Sequence, residues 1–129
     1  MPVSIPVTLL YGGLNALLVT LLGANVSRLR GTRIGVDSTL PRELVRPVRA
    51  HANAADWVPL AVLLLLALEL SAAGTRFMLY LLGGTFLLAG VIHAIGVYRR
   101  SKLSVAGASL NYALLLVMSV WAIAAHFAH

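Results

Sequence analysis

Apolar residues fill four long runs of the chain, and polar residues mark where each run stops. Spanning a bilayer core takes about 20 mostly apolar residues in a helix. The pattern predicts helices at about 5–26, 41–73, 77–98 and 105–127, in one domain covering 1–129. The second is unusual. Its apolar half starts near Val58, and a polar helical stretch extends it back towards Pro41. From Arg42 to Leu70 such a helix would measure about 43 Å, longer than a bilayer core of about 30 Å. Pro41 suits a helix start, while Pro47 and Pro59 inside the run predict kinks. Gly74 is expected to close this helix, and Ser101 or Ser104 to cap the fourth.

Composition fits this pattern. The 129 residues are 60% hydrophobic and 11% charged, too apolar a balance for a soluble domain of this size. The fold class is therefore all-α, an integral membrane four-helix bundle whose first partner is the lipid bilayer. The chain has no cysteine, which excludes disulfides and cysteine-based catalysis or metal binding. "MPVSIPVTLLYGG" has no basic flank, so the first run is expected to persist as a helix.

The net charge of +6 is distributed as a topology signal, and no nucleic-acid partner is expected. Arg28, Arg30, Arg33, Arg42, Arg46 and Arg49 separate the first two helices; Arg99, Arg100 and Lys102 separate the last two. Only Arg76 lies on the other side. The positive-inside rule places both basic loops in the cytosol and both termini opposite.

Candidate chemistry gathers at the mouth of the second helix. At about 100° per residue, with Arg46 at 0°, Arg49 falls near 300°, Asn53 near 340° and Asp56 near 280°. These four share a stripe about 80° wide, while His51, near 140°, faces elsewhere. Arginine forks grip carboxylates, asparagine matches a peptide unit, and a carboxylate can hold an ammonium group. The stripe suits a peptide-like ligand charged at both ends. A structural reading stands beside this one, with the arginines as headgroup anchors and Asp56 paired to Arg49 or to another helix. His93 and Tyr98 lie at the same depth. His93 can serve a ligand or a neighbouring helix, and Trp57 and Tyr98 fit an interfacial aromatic belt. His51 and His93 lack the further ligands zinc requires, so no metal site is expected. Glu69 is expected to pair with Arg76; a proton-coupled transporter could also use it. Asn15 and Asn111 are expected to make interhelical hydrogen bonds.

"RPVRAHANAADWVPL" resembles the helix 2 signature of the membrane-associated proteins in eicosanoid and glutathione metabolism (MAPEG), approximately R-x-x-R-A-x-x-N-x-x-E-aromatic-x-P. Arg46, Arg49, Ala50, Asn53, Trp57 and Pro59 match, and Asp56 replaces the glutamate. "NVSRLR" is similar to the family's basic helix 1 terminus. The resemblance covers essentially the whole chain and points to the bacterial branch, hence to a bacterial inner membrane.

It implies a homotrimer that binds glutathione as cosubstrate between subunits on the cytosolic side. The implied activity is transfer of the thiol to a lipophilic electrophile, or peroxide reduction. Arg28, Arg46, Arg49, Asn53, Asp56, His93 and Tyr98 are the implied glutathione-binding residues. Asp56 is shorter than glutamate by about one C–C bond, ~1.5 Å. Val97 stands where a second helix 3 aromatic is usual. The arginine that family enzymes place near the start of helix 4 to stabilise the thiolate is replaced by Ser104. Arg100, Lys102 and Ser104 are thus the catalytic candidates, and Arg100 or Lys102 would have to supply the cation. The alternative is a family member that binds glutathione, lipid or another small anion without catalysis.

Overall fold

A computed structural model describes residues 3–31 and 40–128. Four helices account for nearly all of it: α1 (Pro6–Arg30), α2 (Arg42–Leu70), α3 (Arg76–Arg99) and α4 (Leu103–Ala128). Each is long and apolar enough to cross a membrane. Helices α2 and α3 form the middle of the bundle and pack against all the others, whereas the backbones of α1 and α4, on opposite flanks, make no close approach. The predicted polar connection between the first two helices falls largely on 32–39, so Arg33 lies outside the described residues.

The core is built from Val7, Trp57, Ala61, Leu65, Leu68, Leu79, Phe86 and Met118. Many large apolar side chains point outward instead, among them Leu17, Leu63, Phe77, Leu88, Leu116 and Ile123. In water such a surface would drive aggregation; in a bilayer it is the solvated face. Close approach of α3 and α4 is set by glycine. A Cβ at Gly96 would collide with the backbone of Ser104, and one at Gly107 with the backbone of His93 and Ala89. Small residues are the usual device for bringing membrane helices together.

Helix ends differ from expectation in instructive ways. Helix α2 stops at Leu70, and Ala72 rather than Gly74 takes the left-handed turn, at φ 50°. The Ala73 amide donates to the Leu68 carbonyl, closing the helix over one more turn. Gly74 is required for a different reason: a Cβ there would overlap the ring of Trp121, whose Nε1 donates to the Ala73 carbonyl at 2.9 Å. Thr75 caps α3 by accepting from the Met78 amide. Neither expected serine cap forms on α4. The Ser104 hydroxyl donates to the Ser101 carbonyl at 3.0 Å, and the buried Ser101 hydroxyl has no partner. Pro47 and Pro59 both lie within the continuous span of α2.

Glu69 does more than the expected pairing with Arg76, which interacts with it electrostatically. Its carboxylate reaches across to the start of α1, where Oε1 accepts from the Val7 amide at 2.9 Å and Oε2 from the Thr8 amide at 2.7 Å. The first amides of a helix have no partner within it, and they carry the positive end of its dipole. A carboxylate borrowed from a neighbouring helix answers both. Helix α1 has no side-chain cap of its own at Ile5, so this contact is its N-terminal cap.

Candidate functional site

The polar groups of the basic end fall into three sets. The deepest centres on His93 of α3, which is 6% exposed. Its Nδ1 lies 2.7 Å from the Ser104 carbonyl oxygen, and its Nε2 lies 2.9 Å from Nδ2 of Asn53. A carbonyl can only accept, so Nδ1 carries the proton; Nε2 then accepts from the Asn53 amide. The two contacts fix one neutral tautomer. Trp57 meets the imidazole edge-on at 4.8 Å and in turn packs against Tyr112. His93 thus ties α2, α3 and α4 together, while Asn53 keeps its carbonyl oxygen and second amide hydrogen for another partner.

The second set opens to the basic end as a cleft of about 570 Å³, lined by Arg28, Arg42, Arg46, Tyr98, Arg100 and the carboxylate-bearing Glu43 among others. Two of its arginines are braced by neutral atoms. Arg46 Nη1 donates to the Tyr98 carbonyl at 3.3 Å, and Arg28 Nη2 donates to Oδ1 of Asn25 at 2.9 Å. Asn25 Nδ2 donates in turn to the Tyr98 hydroxyl at 2.7 Å, joining α1 to α3. The hydroxyl accepts in that bond and keeps its own hydrogen to donate. Neither of these two partners is charged, so the bonds themselves hold the guanidiniums without neutralising them. Arg100 lines the same cleft from the α3–α4 turn, at φ 54° in the left-handed region. The Arg100 and Ser101 amides close α3 onto the Val97 and Gly96 carbonyls.

The third set faces outward. Arg49 and Asp56 are exposed on α2, and among the described residues neither makes a hydrogen bond or ion pair. The stripe read along α2 is therefore split. Its edge at Arg46 and Asn53 turns towards α3, and its edge at Arg49 and Asp56 turns away from the bundle. His51 packs on the remaining side, where its ring lies against Gly23 of α1.

Of the three catalytic candidates, Arg100 borders the cleft, Lys102 is exposed beside it, and the Ser104 hydroxyl is turned to the Ser101 carbonyl. The backbone carbonyl of Ser104 takes part in the site, through His93. Asn25 was not picked out from the sequence. Its signal is an amide three residues before Arg28 at the end of an apolar helix, a spacing that puts the two side chains on one face. Among the described residues no three His, Cys, Asp or Glu side chains come together as a metal site.

Fold and site together define an integral membrane four-helix protein with its hydrogen-bonding chemistry concentrated at one basic end. Residues 8–124 match the MAPEG family, and the chain belongs to that family, as the helix 2 motif implied. Inner membrane protein YecN of Escherichia coli K12 is 32% identical over 114 residues, covering 87% of this chain and 86% of that protein. Inner membrane protein YecN of Escherichia coli O6:H1 (strain CFT073) is similar to the same extent.

Proposed function

We propose that the protein is a glutathione-dependent enzyme of the bacterial inner membrane. In this reading glutathione binds at the cytosolic basic end, between neighbouring copies of a homotrimer, and its thiol is transferred to a lipophilic electrophile. The observation that carries this reading is the exposure of Arg49 and Asp56 at the mouth of a membrane helix, without a hydrogen-bond or ion-pair partner among the described residues. Charged groups at that depth ordinarily face a protein neighbour or a ligand. A second copy and a zwitterionic tripeptide supply both. Arg49 grips a glutathione carboxylate, Asp56 holds its ammonium group, and Asn53 matches a peptide unit. Arg28, Arg46 and Tyr98 supply further donors from the cleft.

Thiol transfer requires a thiolate, and a free thiol ionises only near about pH 8.5. Arg100 is the cation assigned to lower that value, because it borders the cleft where Ser104 offers no charge. The proton leaves to solvent and the thiolate attacks the electrophilic carbon. The C–S bond forms as the leaving group departs with its electron pair. Purified protein is expected to conjugate a halonitrobenzene with glutathione faster than buffer alone. Arg100→Ala should lose the ultraviolet thiolate signal of bound glutathione while keeping most of the affinity.

The Ser104 departure favours one other reading, a member that binds glutathione or another small anion without turnover. Saturable binding with no conjugation across several electrophiles would establish it. The transporter alternative draws nothing from Glu69, whose two carboxylate oxygens are engaged with α1 amides.

A further inference from the structure

A second polar feature lies deeper in the bundle, away from the basic cleft. Asn15 on α1 and Asn111 on α4 are 2% and 1% exposed, respectively. The Asn15 amide is oriented by its own helix, since Nδ2 donates to the Tyr11 carbonyl at 2.8 Å. A carbonyl cannot donate, so that bond fixes Oδ1 as the free edge. Both Asn15 Oδ1 and Asn111 Oδ1 are buried and have no hydrogen-bond partner among the described residues. The interhelical hydrogen bonds expected of these two side chains are thus not made directly.

Both asparagines line one small internal cavity of about 10 Å³. Its other walls are mostly apolar, including Leu18, Phe86, Val58 and Trp57. His93 also borders it, but both ring nitrogens are already bonded, to Asn53 and to the Ser104 carbonyl. Gly90 of α3 keeps the space open. A Cβ there would lie 3.5 Å from Leu18 Cδ2 and 4.0 Å from Asn111 Nδ2. A cavity of about 10–15 Å³ holds one water, provided two to four polar groups receive it. Buried polar atoms are seldom left without a partner.

We propose that Asn15 and Asn111 bind one buried water molecule, which links α1 to α4 through the middle of the bundle. The water donates one hydrogen to Asn15 Oδ1 and the other to Asn111 Oδ1. Its significance lies in the packing: the α1 and α4 backbones make no close approach, so this water bridges the two flanking helices. Asn15 and Asn111 line the same water-sized space and each carries an unpartnered acceptor, and a single water supplies two donors. The site is independent of glutathione.

The test uses the whole protein with its asparagine side chains isotope-labelled, in bilayers of deuterated lipid. Solid-state NMR magnetisation transfer from water should reach the side-chain amides of Asn15 and Asn111. Replacing Asn111→Leu should abolish the transfer at Asn15, and Asn15→Leu the transfer at Asn111. Absence of transfer at both amides of the unaltered protein overturns the proposal, as does transfer at Asn15 that survives Asn111→Leu. Thermal unfolding gives a second reading. Each single replacement should lower the midpoint, and the double replacement should lower it no further than the worse single one. Losses that add, or single replacements without loss, would contradict a shared water. The measurement on the unaltered protein stands even if a variant fails to fold.

Discussion

The two ends of the bundle use charge in opposite ways. At the end where α2 gives way to α3, Glu69 is fully engaged, with both carboxylate oxygens taken by the first amides of α1. At the basic end, Arg46 and Arg28 are steadied by a carbonyl and an amide oxygen, and Arg49 and Asp56 have no hydrogen-bond or ion-pair partner among the described residues. A carboxylate on orphaned amides is structure, since its charge is answered within the fold. A guanidinium braced by neutral atoms is positioned by those bonds but not neutralised by them. Exposed charge at one end and satisfied charge at the other separates binding from stability.

Substitutions of the charged groups at the two ends should therefore fail in different assays, whereas a packing change beside the site should fail in both. The largest effect is expected at Gly96, where any side chain would strike the Ser104 backbone. Gly96→Val should force α3 from α4, costing about 3 kcal/mol as overpacking does. It should also weaken ligand binding, because His93 would lose the Ser104 carbonyl; denaturant unfolding in detergent measures the first and calorimetry the second. Next is Glu69→Ala, which removes the cap of α1. A loss of about 2 kcal/mol follows from the hydrogen bonds and the helix terminus it leaves unanswered. Glutathione affinity should be unchanged, and a matching fall in affinity would erase the distinction between the ends.

Arg49→Ala should do the reverse. Loss of a charge-assisted pair predicts at least about tenfold weaker glutathione binding, equivalent to about 1.4 kcal/mol. The unfolding midpoint should move little, because Arg49 is exposed and makes no hydrogen bond or ion pair among the described residues. The smallest effect is expected at Asn25. Asn25→Ala frees Arg28 and the Tyr98 hydroxyl without removing either, so affinity should fall only about threefold, less than the 1.4 kcal/mol of a tenfold change.

Much of this was legible along the chain. Four apolar runs gave four helices, and the motif beginning at Arg46 gave the family. Single-helix periodicity grouped Arg46, Arg49, Asn53 and Asp56 as one stripe on α2. It did not show that the bundle divides them, because the direction in which a helix turns its stripe depends on its neighbours. The same limit hid the partners of Glu69, Asn25 and His93, each of which lies on another helix. The expectation for Gly74 failed for a local reason. The left-handed turn after α2 falls on Ala72, and the glycine is demanded two residues later by the Trp121 ring. The serines before α4 show a related limit: the Ser104 backbone, rather than its side chain, takes part in the site.

The central claim is that the unpaired charges of the basic end bind glutathione. Calorimetric titration of glutathione into the purified protein in lipid nanodiscs tests it most directly, with Arg49→Ala and Asp56→Asn titrated beside it. Saturable binding by the unaltered protein, sharply weakened in both variants at an unchanged unfolding midpoint, is the predicted result. Absence of binding by the unaltered protein, or equal affinity in all three, would contradict it.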